Sequence, residues 1–334
     1  MVHWSPLGGA GAVVSGRVMR CQSVGWRDCR RPAIAYWRVR ILVTNDDGIH
    51  APGLAAVARA LATWSEAGRP GEERVVTVVA PMANHSGASA AVGTVYEREA
   101  IAYKAVRLPG AEELPAYGLD ASPALSVIVG ALGGFGPAPD LVVSGINHGV
   151  NVGRSVLHSG TVGAVLTAAQ LGISGIAVSM RASAATLHWE TPAGLVVELL
   201  ELLAGAPRST VLNLNVPSVA RSELRGIRRG RLSTAGVVKA ANDPGQRSSL
   251  GRIAGSDGRG LEDLDDEGEI RLVLGSAVPS LGYVGDEEPD DDGAVVAAGF
   301  ASLTALAGVR EDTRPASDDV VRRALSVIER PATG

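Results

Sequence analysis

The chain has 334 residues, 46% of them apolar and 20% charged, which excludes chain-wide disorder and allows two domains or one large domain with an appendage. Its formal charge of −4, from 31 basic and 35 acidic residues, lacks the excess expected of a protein that coats a nucleic-acid polymer. No apolar run approaches the roughly 18 residues that span a bilayer, so no membrane partner and a cytoplasmic location are expected.

The charge is unevenly spread. Residues 1–40 hold seven arginines against one acid, Asp28, a net +6 that leaves −10 for the remainder. Both cysteines, Cys21 and Cys29, lie in this segment with seven residues between them, which is neither a zinc pair nor a redox pair. Residues 1–38 show no periodicity and read as a flexible basic extension or the product of an upstream start codon.

Organised sequence begins at Val39 with the strand Val39–Thr44, which runs into Asn45-Asp46-Asp47-Gly48. Pro52 stands where a helix would begin, and Leu54, Val57, Ala58 and Leu61 repeat at helical spacing. A second apolar strand, Val75–Ala80, ends in a loop carrying Asn84, Ser86 and Ser89, and a third, Leu141–Ser144, ends in Gly145-Ile146-Asn147-His148-Gly149. Continuous Val-rich runs of this kind suit parallel strands buried on both faces. Ser159 is placed to cap a helix containing Val162, Val165, Leu166 and Ala169, which Gly172 ends before a short strand, Ile176–Ser179. Alternating strands and helices predict an α/β fold with a Rossmann-like, doubly wound, mostly parallel sheet over residues 39–219.

Beyond Leu212–Pro217 the composition changes. Residues 220–334 are expected to form a Gly- and acid-rich hairpin and a C-terminal segment, ending in an apolar stretch, Ala294–Leu306, and a helix, Asp318–Glu329. Thirteen of the 35 acids fall between Asp257 and Asp292, a cluster that reads as solvated loops and is assigned no chemistry.

In open α/β sheets ligands sit at the carboxyl ends of the strands, which here supply Asn45, Asp46, Asp47, Asn84, Ser86, Ser89, Asn147, Asn151, Ser159 and Thr161. Two adjacent carboxylates repel each other, and a divalent cation with hard oxygen ligands, Mg²⁺ or Mn²⁺, would remove that cost. The Ser159-Gly160-Thr161 turn at a helix start offers free amides and the favourable end of the helix dipole to an anion. Taken singly, Asp-Asp-Gly is an ordinary turn, Ser159 an ordinary cap, and His50, His85, His148 and His158 ordinary loop histidines. Their convergence on one sheet edge points instead to a phosphate monoester.

The run Ile41-Leu42-Val43-Thr44-Asn45-Asp46-Asp47-Gly48-Ile49-His50-Ala51-Pro52-Gly53 resembles the opening signature of the SurE family of 5'/3'-nucleotidases. Three further blocks agree in order: Ala80-Pro81 through Ser86-Gly87-Ala88-Ser89, Val143–Gly149 with Asn151, and Ser159–Val162, so the resemblance covers residues 39–306. It implies a phosphatase acting on nucleoside monophosphates, with one divalent metal ion per subunit held by Asp46, Asp47, Ser86 and Asn147. Phosphate contacts would fall on Asn45, Asn151, Ser159, Gly160 and Thr161, and Asp46 would act as base or nucleophile, with Asp47 as its catalytic neighbour. The same resemblance implies a homodimer or homotetramer that exchanges C-terminal segments.

The chain departs from the family's usual pattern in three places. Met82-Ala83 stands where Asp-Arg is usual, Ala121–Ser126 replaces a Gly-Thr-Pro-containing motif, and Thr167 replaces a glutamate. None of these is an implied metal ligand. They leave open a broad phosphatase acting on polyphosphate or sugar phosphates, and a non-catalytic nucleotide-binding protein. A nicotinamide-dependent enzyme is disfavoured because no Gly-x-Gly-x-x-Gly follows the first strand.

Overall fold

A computed structural model describes residues 37–69, 71–93, 100–181, 186–233, 251–255, 270–274, 288–309, 313 and 315–328. The basic extension therefore lies outside the described residues, apart from Trp37 and Arg38, which open the first strand two residues earlier than expected.

Among the described residues, nine strands form one sheet. They are β1 (Trp37–Thr44), β2 (Glu72–Pro81), β3 (Tyr103–Val106), β4 (Ala116–Leu119), β5 (Leu141–His148), β6 (Ser174–Met180), β7 (Val211–Val216), β8 (Ile227–Arg229) and β11 (Ala301–Leu306). Their order is β3-β4-β2-β1-β5-β6-β7-β11-β8, and the six strands from β4 to β7 are all parallel to one another. β3 pairs antiparallel with β4 at one edge and β11 antiparallel with β7 near the other. A separate antiparallel pair joins β9 (Gly251–Gly255) to β10 (Ile270–Leu274). Because β8 and β11 belong to the main sheet, that sheet continues past the boundary expected at residue 219.

The chain leaves β1 outward to β2 and β4, then returns to the other side of β1 for β5, β6 and β7. That reversal puts the switch point between β1 and β5, where the loops after two adjacent parallel strands diverge and leave a crevice.

Helices α1 (Pro52–Glu66) and α4 (Glu190–Gly205) cover one face, where Ile41, Val43, Leu54, Val57, Leu61, Val143, Leu195 and Leu200 form a buried cluster. Helices α2 (Pro123–Ala131) and α3 (Gly160–Gln170) cover the other, where Leu42, Val79, Leu125, Val142, Val162 and Val165 are buried. Odd- and even-numbered residues of β1 thus face opposite layers, and the period-2 alternation of a strand explains why the whole run is apolar. The expected stripe of α1 is fully buried at Leu54, Val57, Ala58 and Leu61. Ser159 caps α3 as its position suggested, its Oγ accepting from the Val162 amide at 3.1 Å.

Two readings are corrected. β5 does not stop at Ser144: it is bulged between Ser144 and Asn147 and then resumes, pairing Asn147 with Ser179 and His148 with Met180. Gly145, at φ +132°, makes the bulge possible, since a side chain there would collide with the Val178 carbonyl. The acid-rich stretch is also not all solvated. Asp291 and Asp292 are buried where α5 (Asp292–Ala297) begins. The apolar stretch Ala294–Leu306 divides at Gly299 into α5 and β11, and the terminal helix α6 spans Pro315–Ile328.

Candidate active site at the switch point

The loop after β1 is folded by its own side chains. Asn45 is buried and its Nδ2 donates to the Gly48 carbonyl at 2.9 Å, closing the turn that presents Asp46 and Asp47. Asp46 is 3% exposed. Its Oδ1 accepts a 2.6 Å hydrogen bond from Thr161 Oγ1, which ties the end of β1 to the first turn of α3. Gly160 makes that approach possible: a Cβ there would lie 2.7 Å from the Asp46 Cβ and 3.0 Å from Oδ2. The Gly160 and Thr161 amides make no hydrogen bond among the described residues, so two free donors sit beside a carboxylate.

Asp47 points toward the end of β5, where its Oδ2 accepts from the His148 amide at 3.1 Å. Burial pushes its carboxyl above the usual range and the neighbouring Asp46 charge adds to that, while the His148 amide pulls the other way. Beside it, Asn147 spends its Nδ2 on the Gly149 carbonyl at 2.7 Å, which leaves Oδ1 as its acceptor. The half-buried Trp189 ring lies 6.0 Å from the His148 ring.

The loop after β2 is drawn onto this corner by backbone bonds. His85 N–H donates to the Asp46 carbonyl at 2.6 Å and Ile49 N–H to the Pro81 carbonyl at 2.7 Å. Asn84 Oδ1 accepts from the Ser86 amide at 2.7 Å, leaving the Ser86 side chain exposed. Ser89 clasps the segment before α3, with Oγ donating to the Leu157 carbonyl at 2.7 Å.

Asp46 and Asp47 in the loop after β1, Ser86 in the loop after β2 and Asn147 near the end of β5 therefore stand on segments stitched to one another, and the donor set suits a hard divalent cation. Two adjacent buried or half-buried carboxylates without an ion-pair partner among the described residues are the charge such a cation would neutralise. Among the described residues no three His, Cys, Asp or Glu side chains cluster at ligand distance, so neutral oxygens from Ser86 and Asn147 would have to complete the shell. Thr44 Oγ1 and Asn45 Oδ1 at the end of β1, and Ser144 Oγ at the bulge of β5, are buried without partners among the described residues.

Asn151 occupies a different kind of place. It is 8% exposed, and its Nδ2 donates to Ser179 Oγ at 2.8 Å. Its backbone N–H donates to Asn215 Oδ1 at 2.7 Å, while its carbonyl accepts from Asn213 Nδ2 at 2.8 Å and Asn215 Nδ2 at 3.0 Å. The sequence reading did not assign Asn213, Asn215 or Ser179 to the site. The alternation Leu212-Asn213-Leu214-Asn215 in a buried strand was the available signal, because buried amides need partners. Met82, one of the departures noted above, is 41% exposed. It lies over Gly118 of β4.

The family described as Survival protein SurE matches residues 41–238. The chain is 34% identical over 290 residues to a protein named 5'/3'-nucleotidase SurE from Cronobacter sakazakii, covering 86% of this chain and 97% of that one. It is 39% identical over 201 residues, 59% of this chain and 72% of that one, to a protein named 5'-nucleotidase SurE 1 from Thermus thermophilus. The crystal structure of the Aquifex aeolicus SurE protein superposes with a TM-score of 0.58 at 26% identity, covering 87% of this chain and all of that one. With the family model matched over more than half of the chain and a relative covered almost end to end, this chain belongs to the SurE family.

Proposed function

We propose that this chain is a divalent-metal-dependent phosphomonoesterase that hydrolyses nucleoside 5'- and 3'-monophosphates to nucleoside and phosphate. The observation that carries the reading is the contact between Asp46 and the first turn of α3, which puts a buried carboxylate against two free backbone amides. A carboxylate beside an anion-binding helix terminus is unfavourable for a bare anion and sensible when a cation sits between them. The names of the relatives support the nucleoside half of the substrate, and the Trp189 face beside His148 is an aromatic surface of the kind on which a base can stack.

Asp46, Asp47, Ser86 and Asn147 would hold the cation, Mg²⁺ or Mn²⁺. When bound, it supplies positive charge that polarises the phosphoryl oxygens and favours ionisation of the attacking water. The Gly160 and Thr161 amides receive the equatorial phosphoryl oxygens and stabilise the charge that builds on them, with Ser159 holding the turn rigid through its cap. Thr161 fixes Asp46 by occupying Oδ1, which leaves Oδ2 to take the proton of the attacking water. As the new P–O bond forms, the ester P–O bond breaks and the departing nucleoside oxygen is protonated from solvent.

Phosphate release from a panel of nucleoside monophosphates, sugar phosphates and short polyphosphate, with Mn²⁺, Mg²⁺ or excess EDTA, tests the reading. Metal-dependent release with the best kcat/KM on nucleoside monophosphates is expected, and Asp46→Asn should lower it by about a thousandfold or more without unfolding the protein. Equal activity in Asp46→Asn would refute the assignment. Release favouring a non-nucleotide ester would change the substrate, and no release from folded protein would make this a binding protein.

A further inference from the structure

Asp292 has no part in the chemistry above, yet its carboxylate is fully buried at 0% exposure. It accepts from three backbone amides that belong to different parts of the chain. Gly153 N–H reaches Oδ2 at 3.0 Å and Oδ1 at 3.1 Å, across 139 residues of sequence. Ser233 N–H reaches Oδ1 at 3.2 Å and Gly293 N–H at 3.1 Å. Its own N–H donates to the Arg231 carbonyl at 2.8 Å. Burial pushes the carboxyl above its usual range while these amides pull it down. Taking a carboxylate out of water costs several kcal/mol before such bonds are made, so the group has to be held in place by its partners.

Gly153 is two residues beyond Asn151, which Ser179, Asn213 and Asn215 grip from the strands below. All three gripping side chains are fully buried, as is Asp292. Gly153 then opens a single 3-10 turn, Gly153–Leu157, that delivers the chain to Ser159-Gly160-Thr161. The phosphate-facing turn thus starts from an anchor whose far partner lies on the C-terminal part of the chain.

We propose that Asp292 is a positioning residue that, together with Ser179, Asn213 and Asn215, fixes residues 151–161 so that the Gly160 and Thr161 amides face the substrate phosphate. The C-terminal residues 288–306 then belong to the phosphate-binding unit as well as to the sheet. This rests on the phosphatase reading only in naming the anion. The asparagine variant of Asp292 would turn an amide –NH₂ toward backbone donors, so Asp292→Asn loosens the grip while nearly keeping shape.

Hydrogen exchange of the full-length protein, with inorganic phosphate affinity and steady-state kinetics alongside, tests the proposal. In Asp292→Asn the hydrogen-bonded amides of Gly153, His158 and Ser159 should exchange about tenfold faster while those of β1 and β2 keep their protection. Inorganic phosphate should bind about tenfold more weakly, and kcat/KM should fall by about tenfold or more, because the same amides also stabilise the transition state. A purely structural role would instead speed exchange evenly over the sheet and leave the affinity of the folded protein for inorganic phosphate unchanged, which would overturn the proposal. If Asp292→Asn does not fold, Asn215→Ser releases the same segment and must give the same localised pattern. If the wild type releases no phosphate from any ester, the proposed function fails, and localised or uniform exchange still decides for or against the grip.

Discussion

The two ends of strands β1 and β5 treat their carboxylates in opposite ways. At the amino end, Asp140 accepts from Arg40 three times: from the backbone N–H at 2.9 Å, from Nε at 3.0 Å and from Nη2 at 3.0 Å. Burial there pushes the Asp140 carboxyl up, but the Arg40 side chain and amide outweigh it and hold it below its usual range. At the carboxyl end of the same two strands Asp46 and Asp47 stand side by side, and burial leaves Asp47 above its usual range. One end closes its own charge balance and serves as a clamp between strands. The other holds two adjacent carboxylates without an ion-pair partner among the described residues, a charge that a bound cation would neutralise.

Breaking the contrast at the carboxyl end should cost the most. Gly160→Ala puts a methyl against the Asp46 Cβ, and a displacement of the carboxylate by a fraction of an ångström is expected to lower kcat/KM about a hundredfold. Steady-state kinetics on a nucleoside monophosphate, with circular dichroism to confirm folding, measures it, and an undisturbed rate would show that the close approach has no catalytic use.

A smaller effect, of opposite sign, is expected from Asp47→Asn in metal-free protein. Because the folded-state carboxyl titrates above its ordinary value, its penalty is absent below the ordinary carboxylate range and appears as pH rises through the raised value. The variant in EDTA should therefore unfold at or above the wild-type temperature at pH 7, and this advantage should vanish near about pH 4. A loss of more than about 2 °C at pH 7 would mean that the Asp47 charge is already compensated by the protein.

The amino end should respond least. Asp140→Asn removes a charge from a partly exposed pair and should cost about 1 kcal/mol in urea unfolding at pH 7. The Asp140 carboxyl titrates below its ordinary value, so this contribution is present above the ordinary carboxylate range and is lost as pH falls through the depressed value. A cost that does not shrink on acidification would assign the clamp to packing instead of charge.

The central strands were legible because β1, β2, β5 and β6 are buried on both faces and therefore carry uninterrupted apolar runs. The edges were not. β3, β4 and β8 are three or four residues long and owe their pairing to neighbours that no local pattern announces. The sheet-edge rule gathered Asp46, Asp47, Ser86, Asn147 and Thr161, and the structure brings their loops together through the Asp46, His85 and His148 bonds. Asn151 stood in the same sequence cluster, and only the fold reveals that Ser179, Asn213 and Asn215 occupy its polar groups. Asp292 could not have been picked from its neighbours, because one buried carboxylate in a run of acids looks the same as the solvated ones.

The carboxyl end of β1 and β5 is, on this reading, a cation site built from Asp46, Asp47, Ser86 and Asn147. Thermal unfolding of the wild type and of Asp47→Asn, each in EDTA and in saturating Mn²⁺, tests it most directly. A cation at about a hundred times its Kd adds about 2.7 kcal/mol to the folded state, so the wild-type Tm should rise by several degrees and that of Asp47→Asn should hardly move. Equal shifts in both proteins, or none in the wild type, would contradict it.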